Sequence, residues 1–368
     1  MTEQTYAPGT YPDLPPPSET VGPVHWLKAN LFSSPVNSIV TLVAIYLLYL
    51  ALPSAFNWLL IDATYVGETR KDCAPGGACM AFIGERFNLF VYGFYPAELR
   101  WRVNLAAILL VVAGAAVLWD KMPARKHMMK FAMIYPLIGA WLLSGGLFGL
   151  EYVGTHLFGG LMLTLTIGVT GIVFSLPLGI LLALGRQSKL PIIKYFCIGF
   201  IEFIRGVPLI TLLFVASTML SYFLPPGTTF DLLLRVLIMV TLFASAYMAE
   251  VIRGGLQALP KGQLEAANSL GLNYSQAMRL IILPQALKIS IPGIVNTFIG
   301  LYKDSTLVIV IGLLDPLGIG RASVADSAWL GLSTEVYLFV AVFFFISCFG
   351  MARYSLYLEN KLNTGHKR

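Results

Sequence analysis

The sequence predicts an all-α integral membrane protein of about eight transmembrane helices, a five-helix core preceded by a three-helix N-terminal extension. Two observations lead there. Of the 368 residues, 57% are hydrophobic and only 12% charged, with a mean hydropathy of +0.75, whereas a soluble domain carries roughly 25% charged residues. The apolar residues also gather into eight runs, most of them near the length of about 20 residues that a bilayer crossing needs. Too little polar side chain remains to solvate a globular core, so the bilayer is the natural solvent.

Residues 1–36 are polar and Pro-rich (Pro8, Pro12, Pro15, Pro16, Pro17, Pro23, Pro35) and lack the basic start and apolar stretch of a signal peptide. They are expected to form a disordered or extended cytoplasmic tail. The extension, 37–152, holds runs at 37–60, 101–119 and 131–150, with a loop at 62–100 between the first two. The core, 153–362, holds runs at 157–184, 192–224, 232–252, 289–314 and 336–358, and 363–368 form a C-terminal tail. The fifth run is long and interrupted by Glu202 and Arg205, so its start is expected along the membrane interface. Gly206-Val207-Pro208 then offers a hinge or a packing kink, because Gly relaxes the dihedrals and Pro removes a backbone donor. Gly145 and Gly149 give the third run a spacing suited to close helix contact.

Orientation follows from the cations. Lys121, Arg125, Lys126 and Lys130 crowd one loop, and Arg186 and Lys189 another; such clusters stay on the cytoplasmic side. Alternation then puts both termini and the connection 258–285 inside, and loop 62–100 outside. These anchors account for the net charge of +6, and no basic–aromatic interleaving points to nucleic acid. Cys73 and Cys79 lie in the external loop, separated by Ala-Pro-Gly-Gly-Ala, a turn-forming spacer. An oxidising compartment favours a disulfide, and two thiols without a nearby His make a poor metal site. His25, His127, His156 and His366 are scattered without ligand spacing, so no metal is expected.

The most informative stretch, 263–284, reads Gln-Leu-Glu-Ala-Ala-Asn-Ser-Leu-Gly-Leu-Asn-Tyr-Ser-Gln-Ala-Met-Arg-Leu-Ile-Ile-Leu-Pro. Pro260 and Gly262 end the sixth run. Glu265 suits the positive end of a short helix, and Ala266 and Ala267 keep that helix thin. Gly271 can take the left-handed conformation that stops it. Asn273 caps a second helix with Gln276 three residues on, as in a capping box, and Pro284 is expected to turn the chain back toward the membrane. Such a helix can dock in a cleft of a soluble partner; one lying on the membrane surface fits the same pattern.

Glu265, Ala266, Ala267, Gly271, Ile281, Leu283 and Pro284 fill every fixed position of E-A-A-x3-G-x9-I-x-L-P, so the stretch resembles the signature of binding-protein-dependent ABC importer permeases. The resemblance implies a type I importer core in which 265–271 is the coupling helix that enters a cleft on an ATPase subunit. Three further segments are similar to those of polar amino-acid permeases. They are Glu-Phe-Ile-Arg-Gly-Val-Pro-Leu at 202–209, Ala-Tyr-Met-Ala-Glu-Val-Ile-Arg-Gly-Gly at 246–255, and Leu-Tyr-Lys-Asp-Ser-Thr-Leu at 301–307, the last with Ser305 and Thr306 in swapped order. The extension and its two-Cys loop resemble, more narrowly, AapM-type subunits of general L-amino-acid importers.

An inner-membrane assembly is thereby implied, with a second homologous permease chain (a heterodimer), two ABC ATPase subunits, a periplasmic amino-acid-binding protein and an L-amino acid as substrate. No G-x-x-x-x-G-K-[S/T] loop occurs in the sequence. ATP and Mg are therefore expected on the partner ATPase, with no cofactor or enzymatic site on this chain. Rival readings are a permease for another small polar solute, or a secondary transporter, which would need no such cytoplasmic loop.

Ionisable residues at membrane depth are costly and mark functional candidates. Glu202, Arg205, Lys303 and Asp304 are the candidates for the substrate pathway, where Arg could hold a carboxylate and an acid the ammonium. Pairing with one another is the competing explanation. Glu250 and Arg253 are expected to support the coupling loop. A helix break is expected after Gly300, and since neighbours on a helix point apart, at most one of Lys303 and Asp304 should face the pathway.

Overall fold

A computed structural model describes residues 22–119, 121–223, 225 and 230–362. Residues 1–21 of the expected N-terminal tail, and the C-terminal tail at 363–368, lie outside these. Among the described residues regular structure is helical, apart from an isolated bridge between Thr64 and Cys79. The described residues divide into two compact units, those within Met1–Tyr65 and Lys71–Cys79, and those within Val66–Arg70 and Met80–Arg368.

The first unit corrects one expectation. Residues assigned to an extended tail include a helix, α1 (Pro23–Asn30), started by a proline whose missing N–H costs nothing at that position. Helix α2 (Pro35–Phe56) follows, with Ser34 Oγ accepting from Asn37 N at 3.1 Å as its cap. Through Ile61 it is apolar all round and buries no residue within the protein, as suits a lipid-facing crossing. Beyond it Thr64 N donates to Ala78 O (2.9 Å) and Ala78 N to Trp58 O (2.8 Å). Cys73 and Cys79 are joined by a disulfide with Cα atoms 5.5 Å apart.

In the second unit the rest of loop 62–100 is folded. Helices α3 (Ala81–Glu85) and α4 (Phe87–Tyr92) bury Phe82 and Phe90, which pack on Trp329 and Phe339 with ring centroids 5.5 and 4.8 Å apart. Arg86 pairs with Asp326 at 2.6 Å, and Arg70 donates to the carbonyls of Ala328 and Leu330. Helices α5 (Arg100–Leu118) and α6 (Arg125–Ser144) form a hairpin tied by Tyr135 Oη to Ala106 O, 2.8 Å. Gly145 and Gly149 are not a helix-contact pair: α6 stops at Ser144, and both glycines have positive φ in the following loop. There Gly145 makes room for Arg102, 2% exposed, whose guanidinium donates to Glu151 O at 2.7 Å.

The core is α7 (Gly160–Arg186), α8 (Pro191–Gly206), α9 (Leu209–Phe214), α10 (Leu232–Gln257), α11 (Gly262–Ser269), α12 (Tyr274–Ala277), α13 (Leu283–Asp304), α14 (Pro316–Ser323) and α15 (Ser333–Leu362). Helix α10 is its axis, with half of its apolar window buried. It packs on α7, where a Cβ at Gly179 would stand 2.6 Å from Met248, so only glycine permits that approach.

Among the described residues six helices are long and apolar enough to cross a membrane, and a seventh crossing results if α8 and the segment from Leu209 to Met219 are one broken span. The expectation of about eight included the run 131–150, which is α6; it begins at Arg125, so Arg125, Lys126, His127 and Lys130 occupy its first turns. The run 192–224 is not one helix. It bends by 101° between Gly206 and Leu209, because Pro208 excludes the helical conformation at Val207.

The chain does not turn at Pro284. A single helical rod runs from Tyr274 to Ile311, 38 residues, or about 57 Å at 1.5 Å per residue. A bilayer core is about 30 Å thick, so the rod crosses the membrane and extends well beyond it. Pro284 lies at the start of α13, after a π turn over Met278–Ile282; a widened turn accommodates the lost N–H bond. Nor does the rod break at Gly300. The α-helix persists to Asp304 and tightens to 3₁₀ over Ser305–Ile311.

On the side of the core where α13 ends, Asp315 caps α14, its Oδ1 accepting from Gly318 N at 2.8 Å. It is fully buried, and its Oδ2 has no partner among the described residues. Burial therefore pushes this carboxyl up to about 6, against the lowering effect of the backbone N–H groups.

Candidate coupling and translocation site

The stretch from Gly262 to Pro284 is built by local rules. Glu265 stands in the first turn of α11. Gly271, at φ +79°, ends the helix in a Schellman arrangement: Leu272 N donates to Ala267 O (3.2 Å) and Gly271 N to Asn268 O (2.9 Å). The capping box closes the next helix, with Gln276 N on Asn273 Oδ1 at 2.9 Å and Asn273 N on Gln276 Oε1 at 3.0 Å. Both turns fix the segment without help from a partner.

The segment has two faces. Ala267, Ala277, Met278 and Ile282 are buried, and the last two join one apolar cluster with Ala183, Ile201, Met248 and Ile252 from α7, α8 and α10; Ile281 and Leu283 pack against that cluster. Outward lie Glu265, Ala266 and Leu270, the leucine 78% exposed. Leu270 is thus the one large apolar side chain on the otherwise small and polar outer face of α11. Pro284 is also exposed, and lines an apolar groove between α5, α7, α13 and α15.

Behind the segment, five charged side chains meet. Glu250 of α10, 15% exposed, takes Arg186 Nη1 on Oε1 at 2.6 Å and Arg253 on Oε2 at 2.8 Å. The same Arg186 nitrogen reaches Glu202 Oε1 at 2.9 Å. Arg253 Nη1 continues to Gln257 Oε1 at 2.6 Å. Arg205 is looser, 3.7 Å from Glu250 Oε2 and over the ring of Tyr247 at 5.5 Å from its centroid. Glu202 and Arg205 therefore join Glu250 and Arg253 in one network that ties the end of α7 to the α8 elbow and to α10. Arg186, read from the sequence only as a loop cation, is its bridge.

A groove of about 480 Å³ runs along α10 and α13. Phe243, Tyr247 and Val251 line one wall, and Gly293, Asn296, Thr297 and Gly300 the other. Asp304 lines its end toward the tip of α13; Lys303 does not line it. Sequence reasoning missed Tyr247, Asn296 and Thr297, which are uncharged and became visible only when α10 and α13 were paired.

The profile of the family described as binding-protein-dependent transport system inner membrane component matches residues 175–363. The chain belongs to that family. As an inner membrane component it has full-length relatives: it is 51% identical to the inner membrane amino-acid ABC transporter permease protein YhdY of Escherichia coli (strain K12), over 97% of each chain. It is 46% identical to BztC of Rhodobacter capsulatus, a glutamate/glutamine/aspartate/asparagine transport system permease protein, over 96% of each. It is 36% identical to GlnM of Bacillus subtilis, a probable glutamine ABC transporter permease protein, over 55% of this chain and 91% of GlnM. The coupling segment and the charge network both fall within the residues the family profile matches.

Proposed function

We propose that this chain is the permease subunit of an ATP-driven importer that carries L-amino acids into the cytoplasm. The observation that carries the reading is the coupling segment: α11, exposed on its outer face and ended at Gly271, is joined through the Asn273 capping box to a rod that packs in the core and lines the groove. Two ATPase subunits, which hold ATP and Mg, would dock on the outer face of α11, one per permease chain. A second homologous permease completes the path as a heterodimer, and an external amino-acid-binding protein delivers the substrate. The amino-acid assignment draws on the relatives, whose names specify amino acids.

In this reading α6 and the α8–α9 elbow both cross the membrane, giving eight crossings with both termini cytoplasmic. The Cys73–Cys79 disulfide supports an external position for its loop. The substrate moves along the α10–α13 groove, with Asp304 holding its ammonium group at the outer end. Asp304→Asn is expected to lower uptake about tenfold, by removing a charge-assisted hydrogen bond, while ATP hydrolysis stimulated by the loaded binding protein persists. Uptake by this variant at the unaltered rate would remove Asp304 from the path.

A further inference from the structure

The charge network contains one cation more than it needs. Arg186, Arg205 and Arg253 face Glu202 and Glu250, three positive charges against two negative. Both oxygens of Glu250 are already engaged at short range, Oε1 by Arg186 at 2.6 Å and Oε2 by Arg253 at 2.8 Å through Nη2 and 2.9 Å through Nε. Arg205 stands 3.7 Å from Oε2, beyond hydrogen-bonding distance. Its guanidinium has no hydrogen-bond partner among the described residues, and its side chain is 35% exposed. Arg205 is not itself among the residues lining the groove; it lies over Tyr247, which is, so its link to the groove is that ring.

The groove is mostly apolar, and its one charged lining residue, Asp304, sits at one end. Helices α10 and α13 run antiparallel along it, so Asp304 and Phe243 mark one end and Gly293 and Val251 the other. Gly293 to Asp304 spans about 16 Å of helix. The acid lies at the end where α13 leaves the membrane core, and the Arg205–Tyr247 stack sits further toward the coupling segment. A zwitterion moving along this path passes from a group that binds ammonium toward one that binds carboxylate.

We propose that Arg205 is a binding group for the α-carboxylate of the transported amino acid on the cytoplasmic side of the groove, left available because Arg186 and Arg253 already satisfy Glu250. The proposal rests on the groove being the translocation path. A planar guanidinium can grip a carboxylate with two parallel N–H donors. Stacking on Tyr247 holds the arginine without consuming those donors. The same +1 surplus would be neutralised by one bound carboxylate, so occupancy and network charge are matched.

The test uses the assembled permease–ATPase complex in lipid nanodiscs, without binding protein, and equilibrium binding of radiolabelled L-glutamine and of L-glutaminamide, which lacks the carboxylate. The unaltered complex is expected to prefer glutamine by about tenfold or more, the worth of a charge-assisted contact. Arg205→Gln is expected to reduce the preference to about one by weakening glutamine binding alone, and Arg205→Lys to retain part of it. Amide binding serves as the folding control, so loss of both ligands in Arg205→Gln would assign Arg205 a structural role and overturn the proposal. A preference unchanged in Arg205→Gln, or no preference in the unaltered complex, overturns it and leaves the groove as the path. Failure of the unaltered complex to bind either compound removes the groove reading, and this inference with it.

Discussion

Leu270→Asp is expected to cut ATP-driven uptake by about a hundredfold while the amount of folded chain in the membrane stays the same. Leu270 follows the last residue of α11 and is 78% exposed, so the substitution disturbs no internal packing. A carboxylate near a helix C-terminus costs only about 0.3–1 kcal/mol. Docked in a cleft of the ATPase, the same carboxylate would be desolvated without a partner, which costs about 3 kcal/mol or more, or about a hundredfold in affinity. The two outcomes to compare are uptake in proteoliposomes and retention of the ATPase on purification through a tag on this chain. Retention and uptake both at the unaltered level would show that the outer face of α11 is not the docking surface.

Glu250→Gln is expected to destabilise the core by about 3 kcal/mol, because it leaves Arg186, Arg205 and Arg253 facing one another with only Glu202 to offset them. The loss should appear as a lower thermal midpoint of the purified chain. Adding Arg186→Gln should recover part of it, since that variant removes one of the stranded charges; the coupling of the two substitutions measures the pair directly. Arg205→Gln alone should change the midpoint far less, as its 3.7 Å contact includes no hydrogen bond. Equal midpoints for Glu250→Gln and the unaltered chain would show that the network carries no stability.

What was legible in the sequence was what is local. The Glu265 turn, the Gly271 stop and the Asn273–Gln276 box each depend on residues within a few positions of one another, and all three are present as read. The apolar runs were legible because the bilayer selects composition over some 20 residues. The charge network was not, because Arg186 meets Glu202 and Glu250 across 16 and 64 residues, and nothing local marks it as more than a loop cation. Two motif readings went wrong for the opposite reason. In sequence Pro284 predicts a turn, but a proline is tolerated at a helix start, and the π turn before it keeps the rod continuous. Gly145 and Gly149 have the spacing of a contact pair, yet their positive φ values belong to a loop. The bend after Gly206 was legible as a place; its 101° angle was not.

The α10–α13 groove shows the same limit. Asp304 was visible as a costly charge in an apolar run, but the partition between Asp304 and Lys303 followed only from which side of α13 meets α10. One continuous helix links that acid to the capping box at Asn273. A displacement of α11 therefore reaches the groove across one short turn, the Gly271–Asn273 link, and then along a single helix. The α8 elbow is reached by the second route, through Arg186 and Glu250.

The most direct measurement is uptake of radiolabelled L-glutamine into proteoliposomes that hold this chain with its partner permease and ATPase, with binding protein outside and ATP sealed within. Uptake is expected to require hydrolysable ATP, to persist when ionophores collapse the proton and sodium gradients, and to vanish when the ATPase is omitted. Uptake that continues without the ATPase and follows an imposed ion gradient would contradict the claim that force enters this chain through α11.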